Sequence, residues 1–291
     1  MWISFFSTEA ATLLLRLAAG ASLPASLPCT AMRHRSKGLA AIAALLVVLG
    51  GCKPKVQTRN RLDEQHFPAL MLWAWERPED LRFLDPNKHG VAFLAQTLTL
   101  KGDEVAFSPR HQPLQVPPDT KMMAVTRIES QKITGQRPAL SANQRQQLVK
   151  LIVRTMELGR VAAIQVDFDA LVSERDFYRT LLHDLRTQLP DNVPLSMTAL
   201  ASFCLGDRWL DDLPVDEAVP MIFRMGADDR VVKNLLAGGE DFREPLCRTS
   251  YGIAVDEPID LKFKTGRRVY AFNNRSWQPG DVQAISERMR Q

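Results

Sequence analysis

The sequence predicts an α/β protein, built as an irregular (β/α)8 TIM-like barrel. Three observations predict it. Eight short apolar runs recur between residue 69 and the C-terminus. Segments with helical spacing stand between several of them, the pattern of strands joined by crossover helices. One run, Val161–Phe168, carries a polar face that a plain core strand avoids: Gln165, Asp167 and Asp169 share one parity, and Ile164, Val166 and Phe168 the other. Helical patterns flank this run and cover its apolar face, so the polar face points into a barrel lumen or a cleft at the strand's C-terminal end. A doubly wound open sheet is the alternative architecture. For this strand alone, the alternative is a polar face in water.

Taken in order, the chain opens with residues 1–31, read as an upstream extension, with Met32 as the expected true start. A longer signal region is the other possibility. Met32-Arg33-His34-Arg35-Ser36-Lys37 is a basic flank, and Gly38–Leu49 an apolar run too short to span a bilayer as a mature helix. Residues 32–51 therefore read as a signal peptide. The run ends in Leu49-Gly50-Gly51-Cys52, which resembles the lipobox of bacterial lipoproteins. That resemblance implies acylation of Cys52 and a membrane anchor, and Lys53 after the cysteine favours the outer membrane, facing the periplasm. The alternative is an ordinary signal or anchor with a chance cysteine. Residues 52–65 are polar and read as a tether, leaving 66–291 as one domain.

The expected strands are Ala69–Trp75, Val91–Leu98, Met122–Ile128, Val161–Phe168, Leu195–Ala201, Ala218–Met225, Tyr251–Val255 and Val269–Phe272. Helices are expected at Ser141–Leu158, with Ser141 as N-cap, and at Glu174–Leu189, which stops before Pro190. Two more are expected at Asp228–Ala237, ended by Gly238-Gly239, and at Asp281–Arg290. Lys101-Gly102-Asp103-Glu104 reads as a hairpin turn, and the Pro-rich stretch from 109 to 118 leaves no room for a helix. The connection 257–267 is also too short for one. These gaps make the barrel irregular.

Composition excludes several classes. The chain of 291 residues is 45% hydrophobic and 24% charged, an ordinary globular balance. A net charge of +4, with no Lys/Arg run, marks no nucleic-acid surface. There is no G-x-S-x-G, P-loop, dinucleotide fingerprint or H-E-x-x-H. His66, His89, His111 and His183 are scattered, and no C-x-x-C spacing occurs, so neither metal nor other cofactor is expected.

In a (β/α)8 barrel the C-terminal strand ends build the site. Here those ends supply Trp73, Trp75 and Glu76; Arg127 and Glu129; Gln165, Asp167 and Asp169; Arg224; Asp256 and Glu257; and Asn273, Asn274 and Trp277. Carboxylates protonate a glycosidic oxygen or stabilise an oxocarbenium-like state, amides bond hydroxyls, and indoles pack on sugar rings. The expected partner is therefore a carbohydrate or glycan, and the expected state a monomer. Each residue has a plainer alternative: Trp73 and Trp75 as core, Glu257 as a loop acid, Arg127 and Glu129 as a mutual pair.

The fourth strand resembles the D-x-x-D-x-D-x-E strand of chitinase-like glycoside hydrolases of family eighteen. Ala162 and Gln165 stand in place of its first two acids, Asp167 matches the third, and Asp169 stands where the glutamate would be. Met221-Ile222-Phe223-Arg224 echoes that family's M-x-Y-D, and Trp277 its tryptophan after the eighth strand. Residues 66–280 more broadly resemble a family of bacterial lipoproteins with a domain of no established activity, through Ala69–Arg77, Ile164–Asp169 and Val219–Gly226. These resemblances imply a glycosidase-related barrel. Aspartate for glutamate shortens the acid by about 1.5 Å, a misplacement that can cost about a hundredfold, so a chitinase reaction itself is not expected. Arg224 is expected to recognise an acidic sugar or phosphate, or to neutralise Asp167.

Two functional readings follow. In one, Asp169 is a general acid with Asp167 its charged partner. In the other, the barrel binds a glycan or a protein without cleaving anything. Cys204 and Cys247 are expected at opposite ends of the barrel, which favours two free buried thiols, although an oxidising envelope favours a bond.

Overall fold

The computed structural model describes residues 60–257 and 260–291. The expected extension, signal peptide and lipidated Cys52 lie outside them. Eight parallel strands close into a barrel: β1 (Leu70–Ala74), β3 (His89–Lys101), β6 (Met122–Ser130), β7 (Val161–Asp167), β8 (Leu195–Leu200), β9 (Glu217–Met221), β10 (Ser250–Ala254) and β11 (Arg268–Phe272). Closure is direct, because β1 pairs with both β11 (Leu70↔Val269) and β3 (Leu70↔His89). All eight expected strands are present, and the open sheet is not.

Two irregularities fall where the sequence placed them, at 101–118 and 257–267, and a third, between β8 and β9, was not expected. β4 (Glu104–Pro109) runs antiparallel to the long β3 through the turn at Gly102, whose φ of 54° suits glycine. β2 (Glu79–Asp80) and β5 (Leu114–Gln115) form a separate two-stranded pair beside the barrel. α2 (Ala142–Arg154) starts at Ser141, whose hydroxyl accepts the Gln144 N–H at 3.1 Å. α3 (Arg175–Gln188) buries Phe177, Tyr178, Leu181, Leu182 and Leu185 on one face. α4 (Asp229–Ala237) and α5 (Pro279–Arg288) complete the outer ring, and no helix joins β8 to β9, where 3₁₀ turns take its place.

Alternation along the strands separates two apolar regions. Ile164, Val166 and Phe168 face outward into the layer under the helices, as expected. Met71, Trp73, Met123, Tyr270 and Phe272 fill the lumen together with Ala92, Ala163 and Ala254. Small residues make room for large ones: a Cβ added at Gly252 would lie 3.0 Å from the Trp73 ring.

Three expectations need correction. The first is the boundary at residue 66. α1 (Arg61–Glu64) is part of the folded body, with Leu62 buried among the lumen residues, Arg61 paired to Asp216, and Asp63 paired to Arg268. Polar composition hid it because one buried leucine is enough to dock one turn. The second is the sixth strand, which ends at Met221 rather than Met225. Arg224 takes φ 51°, so the chain turns over the barrel end instead of continuing. The third is the cysteine pair. Cys204 and Cys247 form a disulfide with Cα atoms 5.9 Å apart. The descent from β8 is a run of 3₁₀ turns and α4 is only nine residues long, so residues 242–247 lie against the segment of Cys204. Arg243 N–H bonds the Cys204 carbonyl at 2.9 Å.

Candidate functional site at the barrel mouth

The lumen is polar along its axis. At the N-terminal end Glu217, wholly buried, accepts Arg268 Nη1 at 3.3 Å, the Ser196 hydroxyl at 3.0 Å and the Tyr270 hydroxyl. Burial first, then the Glu217 charge, holds the Tyr270 phenol well above its ordinary range. One layer up, Gln165 donates to Ser196 at 2.9 Å and accepts from Trp73 Nε1 at 2.8 Å. Gln165 and Trp73 therefore sit in the lumen, as the alternation predicted for Gln165. They spend their polar atoms on each other, and Trp73 belongs to the core rather than to a sugar platform.

The mouth lies above this layer. Asp167 accepts the Thr198 hydroxyl at 2.7 Å from the adjacent strand. Burial is the main reason its carboxyl is raised; Thr198 and Arg127 oppose the rise. Asp169, two residues on, keeps surface open to solvent, yet the crowded mouth holds its carboxyl up to about 6, with the charge of Asp167 as second cause and Arg127 and Lys132 opposing. Both carboxyls are thus raised. The expectation of one neutral acid beside one fully ionised partner gives way to a pair that competes for a proton. Arg127 lies in register with Asp167 on β6 and bonds Glu129 at 2.9 Å, the plainer alternative for those two.

The opposite wall is aromatic and ionic. Phe223 and Phe272 stack with centroids 5.8 Å apart, and Trp75 meets Phe272 edge-on at 6.2 Å. Trp75 Nε1 is buried without a hydrogen-bond partner. The Arg224 guanidinium lies 5.2 Å above Phe272, close to Asp256 (3.4 Å) and Glu257 (3.6 Å), and its backbone N–H bonds Glu257 at 2.9 Å. Asp256 also accepts Asn274 Nδ2 at 2.7 Å. Arg127, not Arg224, is therefore the cation that faces Asp167, a correction to one of the two expected roles for Arg224.

Three further candidates lie elsewhere. Asn273 is buried and bonds Asp281 at 3.1 Å, tying β11 to the start of α5. Trp277 is buried in the outer layer, its Nε1 donating to the Trp73 carbonyl at 3.0 Å, so it is no floor for a ring in the mouth. Glu76 is exposed beyond β1, within the field of Arg110. The sequence reading missed Thr198, Glu217, Tyr270 and Arg268. Glu217 and Arg268 open their strands with charge at lumen parity, which is the one signal they offered. Among the described residues no group of three His, Cys, Asp or Glu side chains is placed to hold a metal, and no helix is long and apolar enough to cross a membrane.

No protein-family model, no curated protein and no solved structure matches this chain.

Proposed function

We propose that the protein is a glycoside-hydrolase-like barrel acting on a polysaccharide or glycan of the cell envelope, held there by a lipid at Cys52, with Asp169 as general acid. The observation that carries this reading is the place of Asp169, two residues past the end of β7 at the solvent end of the mouth and close to Asp167, the carboxyl that ends that strand; there its carboxyl is raised to about 6. An acid that is still partly protonated near neutral pH can give its proton to a glycosidic oxygen. Asp167, next to Arg127, is the carboxylate that stabilises the positive charge forming on the sugar as the bond to the protonated leaving oxygen breaks, and a water then adds at the anomeric carbon and returns a proton to Asp169. The half-buried Phe223 and Trp75, which pack on the buried Phe272, offer the apolar edge against which a ring can lie. Phe223 and Arg224 lack the groups that would hold an acetamide, so the reading does not use substrate-assisted attack.

One observation favours a second reading. Trp73 and Trp277 are both buried, which leaves the mouth a smaller aromatic surface than the strand ends promised. A barrel that binds glycan without cleaving it needs no more. A panel of envelope glycans separates the two. Under the first reading Asp169→Asn stops hydrolysis of a responsive glycan while its binding persists, and Asp167→Asn lowers both rate and stability. Full activity in Asp169→Asn would refute the assignment. Binding without cleavage, lost in Trp75→Ala, would establish the second reading.

A further inference from the structure

Beside the mouth, on the outside of the barrel, lies a cleft of about 490 Å³ between the β2–β5 pair and the start of α5. Its walls are Pro78, Phe83, Pro113, Trp277 and Pro279, and Glu79 lies in it. Asp80, Gln115, Ser276 and Gln278 complete a wall of mixed polarity, and the size is that of a small-molecule site. Glu79 is the unusual member: its side chain is 2% exposed. Its Oε2 accepts the Trp277 backbone N–H at 3.1 Å, whereas the nearest cation to Oε1 is Arg77 Nε at 3.9 Å, beyond hydrogen-bond reach. Arg110 also lies within its field, but that guanidinium is bonded to the carbonyls of Ala74, Trp75, Arg77 and Gln112. The other acid of the cleft, Asp80, is held by Arg82 at 2.6 and 2.8 Å. Burial accordingly wins over both arginines and holds the Glu79 carboxyl above its ordinary range.

The geometry points to this cleft as a binding site for a small primary amine carried on an apolar body, its ammonium donating to Glu79 Oε1. Glu79 Oε1 accepts no hydrogen bond and its ion pair with Arg77 is long, so an incoming ammonium supplies a direct donor and a closer charge than Arg77 does. The ring of Phe83, 39% exposed, favours a cation at its face. The prolines give rigid walls that lose no side-chain freedom when a ligand enters. A neutral molecule of the same shape satisfies the walls but not the acid. An anion is opposed by Glu79 and Asp80.

The test is a titration of the full-length chain with n-butylammonium, followed by NMR at the Trp277 backbone amide, the group bonded to Glu79. n-Butanol at equal concentration is the neutral control, and glucosamine is a second amine. Saturable shifts with butylammonium and not with butanol are expected. Tighter binding of butylammonium than of glucosamine is expected from an apolar body, and the reverse would overturn that part of the proposal. Glu79→Gln should weaken amine binding by about tenfold or more, the usual worth of a hydrogen bond to a charged group. Arg77→Gln should tighten it by removing the competing cation, and this second variant leaves the buried acid in place. Equal response to butanol, unchanged affinity in a folded Glu79→Gln variant, weaker binding in Arg77→Gln, or no saturable shift would each overturn the proposal.

Discussion

Breaking the ion pair at the closed end of the lumen should destabilise the barrel strongly. Glu217 is wholly buried and Arg268 is 6% exposed, with Nη1 and Oε2 3.3 Å apart. Arg268 keeps only the Pro68 carbonyl at 3.1 Å and the exposed Asp63 at 3.0 Å as other partners. Glu217→Gln therefore leaves a buried guanidinium with no buried counter-charge. Arg268→Met leaves a buried carboxylate on two hydroxyl donors. Removing one partner of such a pair costs about 3–5 kcal/mol. For a domain of this size about 2–4 °C of melting temperature is lost per kcal/mol, so each single variant should melt about 6–20 °C lower. The double variant Glu217→Gln/Arg268→Met leaves no buried charge and should be more stable than the sum of the singles implies, by about 1 kcal/mol or more. Urea unfolding of wild type, both singles and the double at neutral pH measures all four corners. Singles within about 1 kcal/mol of wild type, or a strictly additive double, would refute the reasoning.

Other predictions follow from the mouth, the outer layer and the signal. The native carboxyl of Asp169 is raised to about 6, against about 3.9 for an ordinary aspartate, so the native state binds more protons between those values. Its contribution to stability is then full below the ordinary range and is lost as pH rises through about 6. Asp169→Asn should flatten that fall, gaining on wild type at about pH 8 relative to about pH 4 in urea midpoints; parallel pH profiles would contradict the assignment. The disulfide spans 43 residues, and loop-closure entropy puts its contribution near 4 kcal/mol, so Cys204→Ala/Cys247→Ala should melt well below wild type. Alkylation of the unreduced, unfolded chain should modify neither cysteine, and labelling at either position would show the bond absent. Finally, Cys52→Ala should abolish labelling by a fatty-acid probe and release the chain from membranes in a lipoprotein-processing host.

Much of this architecture was legible in the sequence because burial imposes a period. Eight apolar runs sit in the eight barrel strands, and the parity of the fourth run divides outer-layer Ile164, Val166 and Phe168 from lumen Ala163 and Gln165, although a register shift puts Val161 in the outer layer and Ala162 against the lumen. Ser141, Gly102 and Gly238 marked ends and turns by local backbone chemistry, which needs only neighbours in the chain. What the sequence could not supply were distances between residues far apart in it. Trp73 and Trp277 were candidates for a sugar platform because both lie at strand ends, with core as the plainer alternative for Trp73. Only the packing of β1 against β11, which brings the Trp277 indole onto the Trp73 carbonyl, buries them. The Cys204–Cys247 bond required knowing that the descent from β8 carries 3₁₀ turns in place of a helix. The Glu217–Arg268 pair joins residues 51 apart, and α1 answers to Asp216 and Arg268 from opposite ends of the chain. Local patterning fixes which face a side chain occupies. Which side chain meets it across the lumen is decided by strand stagger and barrel closure, and pairing, burial and the raised carboxyls of Asp167 and Asp169 all depend on that.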